Sequence, residues 1–231
     1  MMERIRKICI TNRKLLTGTA EFTPEVLRIF LERLELIAVQ QLAEAVILRE
    51  KDLSGRQYSE LAHAAYPICI ENGIPLILHH FHRAALGFEP ALPLHLSLQD
   101  FLMLRQQKSA KLSTGAALSF STDDDACGRT EKSGSRLTVT GVSIHSVEEA
   151  ITAERLGASY VTASHIFPTE CKPGLPPRGS EFLRDVCRSV SIPVYALGGI
   201  HPDNIDICIR QGAAGVCMMS EYFSRSITMV K

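Results

Sequence analysis

Short apolar runs alternate along the chain with longer stretches whose apolar residues recur at helical spacing. The short runs predict strands at residues 8–11, 45–49, 75–79, 93–96, 137–143, 160–163, 193–196 and 215–219. The longer stretches predict helices from residue 24, after Thr23 as N-cap, and at 57–71, 98–107, 147–156, 180–189 and 202–211, with at most a short helix at 80–86. Strands that alternate with helices indicate a parallel sheet, and this number of units in 231 residues predicts a single (β/α)8 TIM barrel spanning residues 1–231.

Two parts of the chain depart from this alternation. Residues 109–135 are rich in Ser, Thr, Gly and charge, which predicts an insertion between units four and five, either a solvated loop or a lid. The segment after Met219 leaves room only for a short last helix. An open doubly wound sheet is the alternative fold, but its glycine fingerprint is missing from residues 11–14.

Composition narrows the function classes. Lysine plus arginine equals aspartate plus glutamate, 25 each, so no net charge favours nucleic acid or an anionic membrane. The apolar runs are too short for a membrane helix, and the N-terminal segment lacks the apolar core of a signal peptide. The seven cysteines form no C-x-x-C pair, which favours reduced core thiols in a cytoplasmic protein over a zinc site. Whether the chain forms a homo-oligomer stays open.

The active site of such a barrel lies at the carboxyl ends of its strands, so polar residues there are the candidates. Gly198 and Gly199 end strand seven and Ser220 follows strand eight, where backbone N–H groups and a helix N-terminus suit a phosphate. A tight turn without ligand is the alternative. Arg49 and Lys51 place two cations after strand two, suited to phosphate or to a salt-bridge cluster.

A histidine beside a basic loop gives the strongest chemical signal. His145 shares the end of strand five with Ser143, just before a helix that Ser146 and Glu149 would cap as a capping box. Histidine can move protons near neutral pH, so His145 is the predicted acid–base residue, with a plain loop histidine as alternative. The loop after strand six adds Thr169, Lys172 and Arg178. Three further histidines with one carboxylate either line the pocket or bind a metal: His79, His80, His82 and Asp100.

These segments together resemble the thiamine phosphate synthase/TenI superfamily of TIM barrels. The resemblance covers nearly the whole chain apart from residues 109–135, and its strongest parts are ILREKDLS (47–54), GVSIHSVEEA (141–150), HIFPTECKPGLPPRG (165–179) and ALGGIHPDNI (196–205). For the synthase branch, which joins hydroxymethylpyrimidine diphosphate to thiazole phosphate, the resemblance implies diphosphate binding by Arg49, Lys51 and Ser143, and Mg²⁺ binding by Asp100. It also implies that phosphate groups are held by Thr169, Lys172, Gly199 and Ser220.

The chain departs from the synthase pattern at three positions. Ile47 stands in place of a glutamine, and His79 and His80 stand in place of Asn-Asp, whose aspartate is the second magnesium ligand. Mg²⁺ prefers oxygen ligands, so imidazole is a poor substitute. The losses favour the TenI branch, a thiazole phosphate tautomerase that needs His145 and a phosphate anchor but no cofactor. The alternatives are a synthase with Mg²⁺ and a non-catalytic relative that binds a phosphate ligand.

Overall fold

A computed structural model describes residues 6–114 and 140–224. In this part of the chain eight parallel strands pair in chain order and close into a barrel, which confirms the predicted TIM barrel. The strands are β1 (Arg6–Ile10), β2 (Ala45–Leu48), β3 (Leu76–His79), β4 (Leu94–Ser97), β5 (Thr140–Ile144), β6 (Tyr160–Ser164), β7 (Val194–Leu197) and β8 (Gly215–Met218). The helices are α1 (Arg13–Thr17), α2 (Pro24–Val39), α3 (Gly55–Glu71), α4 (His82–Ala85), α5 (Leu98–Thr114), α6 (Val147–Arg155), α7 (Gly179–Ser189), α8 (Ile205–Arg210) and α9 (Ser220–Phe223).

The barrel interior is filled by one apolar cluster, while a larger core lies between the strands and the helices. The interior cluster comprises Ile8, Ile10, Ile47, Ile77, Tyr160, Tyr195 and Cys217. Because side chains alternate across a strand, residues two positions further along also face inward. Beyond Ile77 this residue is His79, and beyond Ile47 it is Arg49, so strand parity directs both toward the mouth of the barrel.

One short helix was missed by the sequence pattern. Helix α1 spans only five residues between β1 and α2, too few to show helical periodicity. The side chain of Asn12 caps its first turn by accepting from the Leu15 N–H, and Gly18 ends it in the left-handed conformation at φ 74°. The Thr23 cap of α2 is confirmed, since its side chain accepts from the Val26 N–H.

The fourth unit extends further than predicted. Helix α5 continues to Thr114 rather than stopping at residue 107, so the first residues of the predicted insertion are helical. Ser and Thr have only modestly lower helix propensity than Ala, so they can extend a helix that the preceding turns have already formed. Residues 115–139, which hold the rest of the predicted insertion and the first three residues of the predicted strand five, lie outside the described part of the chain.

The capping box predicted for α6 is only half formed. Ser146 accepts from the Glu149 N–H at 3.1 Å, as expected. The Glu149 carboxylate, however, accepts from the N–H of His145 rather than from that of Ser146. A capping box is instead complete at α3, between Ser54 and Gln57. Helix α8 begins three residues later than predicted, at Ile205.

Most of the described cysteines are buried thiols, as predicted. Cys9, Cys69, Cys208 and Cys217 are buried, whereas Cys171 is exposed. Burial raises the pKa of the Cys69 thiol to about 12, which keeps it protonated. Within residues 6–114 and 140–224, no three His, Cys, Asp or Glu side chains come together as a metal site, and no helix has the length and apolar character needed to cross a membrane.

Candidate active site

All the site residues predicted from the sequence lie at one end of the barrel, where the strands end. Arg49 and Lys51 follow β2, and Asp100 lies in the first turn of α5. Ser143 lies in β5 and His145 follows it. Thr169 and Lys172 follow β6, Gly198 and Gly199 follow β7, and Ser220 begins α9. In TIM-barrel enzymes this is the catalytic end.

The two cations after β2 alternate with carboxylates that bind a different residue, Arg13. The Arg13 guanidinium, 1 % exposed, donates to Glu50 Oε2 at 3.0 Å and to Asp52 Oδ1 at 2.9 Å. Glu50 also accepts from the Thr11 hydroxyl. Arg13 engages these two carboxylates, and neither Arg49 nor Lys51 has an ion-pair partner among the described residues, so the alternative of a salt-bridge cluster finds no support there.

A third cation joins Arg49 and Lys51 from the loop after β6. Burial and the nearby charges of Arg49 and Lys172 lower the pKa of Lys51, while the Asp100 carboxylate acts in the opposite direction. Burial, Arg178 and Arg49 likewise lower the pKa of Lys172. Each of these charges is therefore close enough to influence its neighbours. We call Arg49, Lys51 and Lys172 the cation cluster; it suits a strongly negative group such as a diphosphate.

One carboxylate oxygen of Asp100, the predicted magnesium ligand, already accepts hydrogen bonds from neighbouring residues. Its Oδ2 accepts from the Ser97 hydroxyl at 2.8 Å and contacts His80 Nδ1 at 3.1 Å. The Ser97 oxygen accepts in turn from the Asp100 N–H. Mg²⁺ requires a near-octahedral set of oxygen ligands. One engaged carboxylate beside an imidazole and the cation cluster does not fit this ion.

His145 is held by one ring nitrogen, which leaves the other for chemistry. Its Nδ1 lies 2.9 Å from the Ser164 carbonyl oxygen and 3.2 Å from the Ser164 hydroxyl. A carbonyl only accepts, so Nδ1 carries a proton, which leaves Nε2 as the ring nitrogen that could accept one. Glu149 fixes the backbone of the same residue. This arrangement suits a proton acceptor at the rim.

Ser143 is positioned by a buried histidine inside the barrel. His95 Nε2 lies 2.8 Å from Ser143 Oγ, and His95 Nδ1 lies 3.1 Å from the Tyr160 hydroxyl. The hydroxyl of Thr162 also contacts Ser143 at 3.3 Å. Burial lowers the pKa of His95 to about 3, so the ring is neutral at ordinary pH. The position of His95 beside Ser143 follows from the register of β4 against β5.

A second buried histidine lies beside this chain. His79 is 7 % exposed, its ring centroid lies 5.8 Å from that of His95, and its Nδ1 has no hydrogen-bond partner among the described residues. Burial, with smaller contributions from the neighbouring His95 and from the charge of Lys51, lowers its pKa to about 2. His79 therefore lines the interior as a neutral ring. It does not combine with His80, His82 and Asp100 into a metal cluster within the described residues.

The two glycines after β7 bring that strand end against the loop after β6. Gly198 and Gly199 have φ of 97° and 64°, in the left-handed region that glycine tolerates. A Cβ on Gly199 would lie 2.3 Å from the Pro168 carbonyl oxygen, so a larger residue would push this loop outward. Helix α9 has a single turn and Ser220 is exposed, so the helix end adds less to phosphate binding than the sequence suggested.

Comparison with known proteins places the chain among enzymes of thiamine biosynthesis. A family model described as thiamine monophosphate synthase matches residues 120–222. The thiamine-phosphate synthase of Syntrophomonas wolfei is 32 % identical over 218 residues, 94 % of this chain and 88 % of that protein. A putative thiamine-phosphate synthase of Aquifex aeolicus is also 32 % identical, over 84 % of this chain and 89 % of its own length.

The fold agrees with these sequence matches. The solved structure of a thiamine phosphate pyrophosphorylase from Pyrococcus furiosus superposes with a TM-score of 0.65 at 25 % identity, covering 94 % of this chain and 86 % of that one. An N-acetylmannosamine-6-phosphate 2-epimerase from Clostridium perfringens reaches a TM-score of 0.55 at 14 % identity over 95 % of this chain and 88 % of that one, a likeness in fold alone.

Proposed function

Because the chain belongs to the thiamine monophosphate synthase family, we propose that it is a thiamine phosphate synthase. In this reaction hydroxymethylpyrimidine diphosphate and thiazole phosphate combine and diphosphate leaves. The observation that carries the proposal is the cation cluster. A tautomerase needs one phosphate anchor, whereas a synthase must hold a diphosphate as well, and Arg49 and Lys51 remain without salt-bridge partners among the described residues for that purpose.

The proposed chemistry breaks one bond and forms one. The C–O bond between the pyrimidine methylene and the diphosphate breaks, and its electron pair leaves with the diphosphate. The thiazole nitrogen then supplies its lone pair to the methylene carbon, which yields the thiazolium product. Arg49 and Lys51 would stabilise the charge that develops on the leaving diphosphate. The amides of Gly198 and Gly199, with Thr169, would hold the thiazole phosphate and place its nitrogen near the methylene carbon.

A single assay tests this proposal. Purified protein is supplied with both substrates, and thiamine phosphate is measured by chromatography with and without added Mg²⁺. We expect product, and we expect Arg49→Gln to lower kcat by about tenfold or more, because one charge-assisted contact to the leaving group is lost. Arg56→Gln, an exposed change at the start of α3, is the matched control and should leave kcat unchanged. No product under either condition would reject the synthase.

Thiazole phosphate tautomerisation, the reaction the sequence favoured, remains the second candidate. Its support is His145, whose Nε2 is the ring nitrogen left to act as a base. The departures at Ile47, His79 and His80 also favour it over the synthase. We expect His145→Gln to abolish this activity, if it exists, while thiazole phosphate still binds by calorimetry. Unchanged tautomerisation in His145→Gln would reject the role given to His145.

A further inference from the structure

The pair formed by His80 and Asp100 occupies the place where a divalent cation would be expected to meet the diphosphate. The Asp100 side chain is 35 % exposed and that of His80 is 51 % exposed, so both reach the mouth of the barrel. Two donors, the Ser97 hydroxyl at 2.8 Å and His80 Nδ1 at 3.1 Å, converge on one oxygen of the carboxylate. That oxygen is therefore not available to a metal unless the pair breaks.

The backbone fixes His80 in this role. His80 has φ of 70°, the left-handed region that a residue with a Cβ rarely adopts. Its N–H donates to the His95 carbonyl at 3.1 Å, and its own carbonyl accepts from the His82 N–H at 2.8 Å. Hydrogen bonds on both sides thus hold the conformation that directs the imidazole to Asp100. A residue held in a sparsely populated conformation at a site is a sign of functional constraint.

The surrounding charges also disfavour a dication. Lys51 lies within electrostatic range of Asp100, of Arg49 and of Lys172, so two further cations accompany the one that is near the carboxylate. The other nearby carboxylates, Glu50 and Asp52, are engaged by Arg13. An anion entering this region meets a net positive site, whereas Mg²⁺ meets too few oxygen ligands and like charge.

We propose that this chain binds the diphosphate group without a divalent cation, through the cation cluster alone, with His80 as the positioning residue that holds Asp100 away from metal binding. This inference rests on the proposed function for the identity of the anion.

Calorimetry with inorganic pyrophosphate tests the proposal on the full-length protein. We expect the apparent Kd in EDTA to lie within about threefold of that in excess Mg²⁺, and we expect Mg²⁺ alone to give no binding heat. A Kd more than about tenfold tighter with Mg²⁺, a difference of about 1.4 kcal/mol, would overturn the proposal, as would an absence of pyrophosphate binding under both conditions.

Variants of His80 sharpen the test. His80→Asp adds a carboxylate next to Asp100; we expect pyrophosphate binding in EDTA to weaken by about tenfold or more and Mg²⁺ to restore it. His80→Asn tolerates the left-handed backbone without adding charge, and it should bind pyrophosphate in EDTA nearly as the unmodified chain does. His63→Asp, on the exposed face of α3, controls for added negative charge. A His80→Asp protein that behaves like the unmodified chain in both buffers would refute the assignment.

The outcome separates this inference from the proposed function. Thiamine phosphate formed only with Mg²⁺ would refute the metal-free site and keep the synthase. Pyrophosphate bound equally with and without Mg²⁺, but no thiamine phosphate formed, would keep the metal-free site and reject the synthase.

Discussion

Of the predictions made for this protein, replacement of Arg13 should cause the largest loss in the free energy of unfolding. Its guanidinium binds Glu50, whose side chain is 2 % exposed, and Asp52, which is 35 % exposed. The more exposed Asp52 contact contributes little, because solvent screens it. In Arg13→Met the aliphatic part of the side chain is retained, and the main effect is a buried Glu50 without its counter-charge.

The magnitude follows from what Glu50 can do next. A buried carboxylate that has lost its partner costs about 3–5 kcal/mol. Alternatively, the Glu50 carboxylate can take up a proton. Because its ordinary pKa is 4.5, protonation costs about 1.4 kcal/mol for each pH unit above that value, which is about 3.4 kcal/mol at pH 7. The cheaper route sets the loss at about 3 kcal/mol at pH 7. Burial already raises the pKa of Glu50 in the unmodified protein, and Arg13 acts in the opposite direction, so loss of Arg13 raises this pKa further. The loss of stability therefore grows with pH above 4.5 and falls to about 0.7 kcal/mol at pH 5.

Urea unfolding of Arg13→Met at these two pH values measures the effect. Arg28→Met is the matched control, since Arg28 pairs with Glu25 and Glu32 on the exposed face of α2 and should change the midpoint far less. Glu50→Gln added to Arg13→Met should recover much of the loss at pH 7 by removing the buried charge. A loss below about 1 kcal/mol, or one that is equal at pH 5 and pH 7, would refute this reasoning.

Three shorter predictions follow from the same structure. Gly199→Ala places a Cβ 2.3 Å from the Pro168 carbonyl oxygen, so calorimetry should show that thiazole phosphate binding weakens by about tenfold or more. Gly73→Ala is the control: Gly73 also has a positive φ, 69°, but its Cβ would meet open space, so this variant carries only the backbone strain and should keep its affinity. Gly141→Ala places a Cβ 2.1 Å from the Tyr160 ring and should destabilise the barrel by about 1–3 kcal/mol in urea, with partial rescue by Tyr160→Leu. The pKa values of Lys51 and Lys172 lie below the ordinary 10.5, so the affinity for pyrophosphate should begin to fall with rising pH before a free lysine would lose its charge. Lys51→Arg should move this fall to higher pH. An affinity that does not change with pH up to about pH 10 would contradict the prediction.

The order of the elements could be predicted from the sequence because each parallel strand is a short buried run bounded by a helix. Within the described residues, strand ends shift by one or two positions, as at β1, where Arg6 and Lys7 pair with β8 although their side chains are exposed. Apolar patterning reports burial rather than backbone pairing, which explains the shift. Helix α1 has a cap at each end but too few residues for periodicity.

The contents of the site were predictable in part. The predicted barrel fold placed Arg49, Lys51 and Lys172 at the same end of the barrel, because the carboxyl ends of its parallel strands all lie there. The partner of Glu50 was not predictable, since Arg13 lies 37 residues away and comes next to it only because β1 pairs with β2. The link between His95 and Ser143 is similarly a matter of register between β4 and β5.

The departures at Ile47 and His79 are best understood as one change in the barrel interior. Ile47 is fully buried in the interior apolar cluster and pairs with Ile77, so it presents no polar atom to a substrate. His79 follows two residues after Ile77, faces inward by strand parity, and keeps a buried Nδ1 without a partner among the described residues. A buried polar atom without a partner costs free energy unless a ligand satisfies it.

We therefore expect β3 to supply the polar contact that β2 lacks. His79→Leu should raise KM for the pyrimidine diphosphate by about tenfold while leaving KM for thiazole phosphate unchanged in steady-state kinetics. Equal increases in both KM values would show that His79 only maintains the barrel, and the two departures would then count as separate losses.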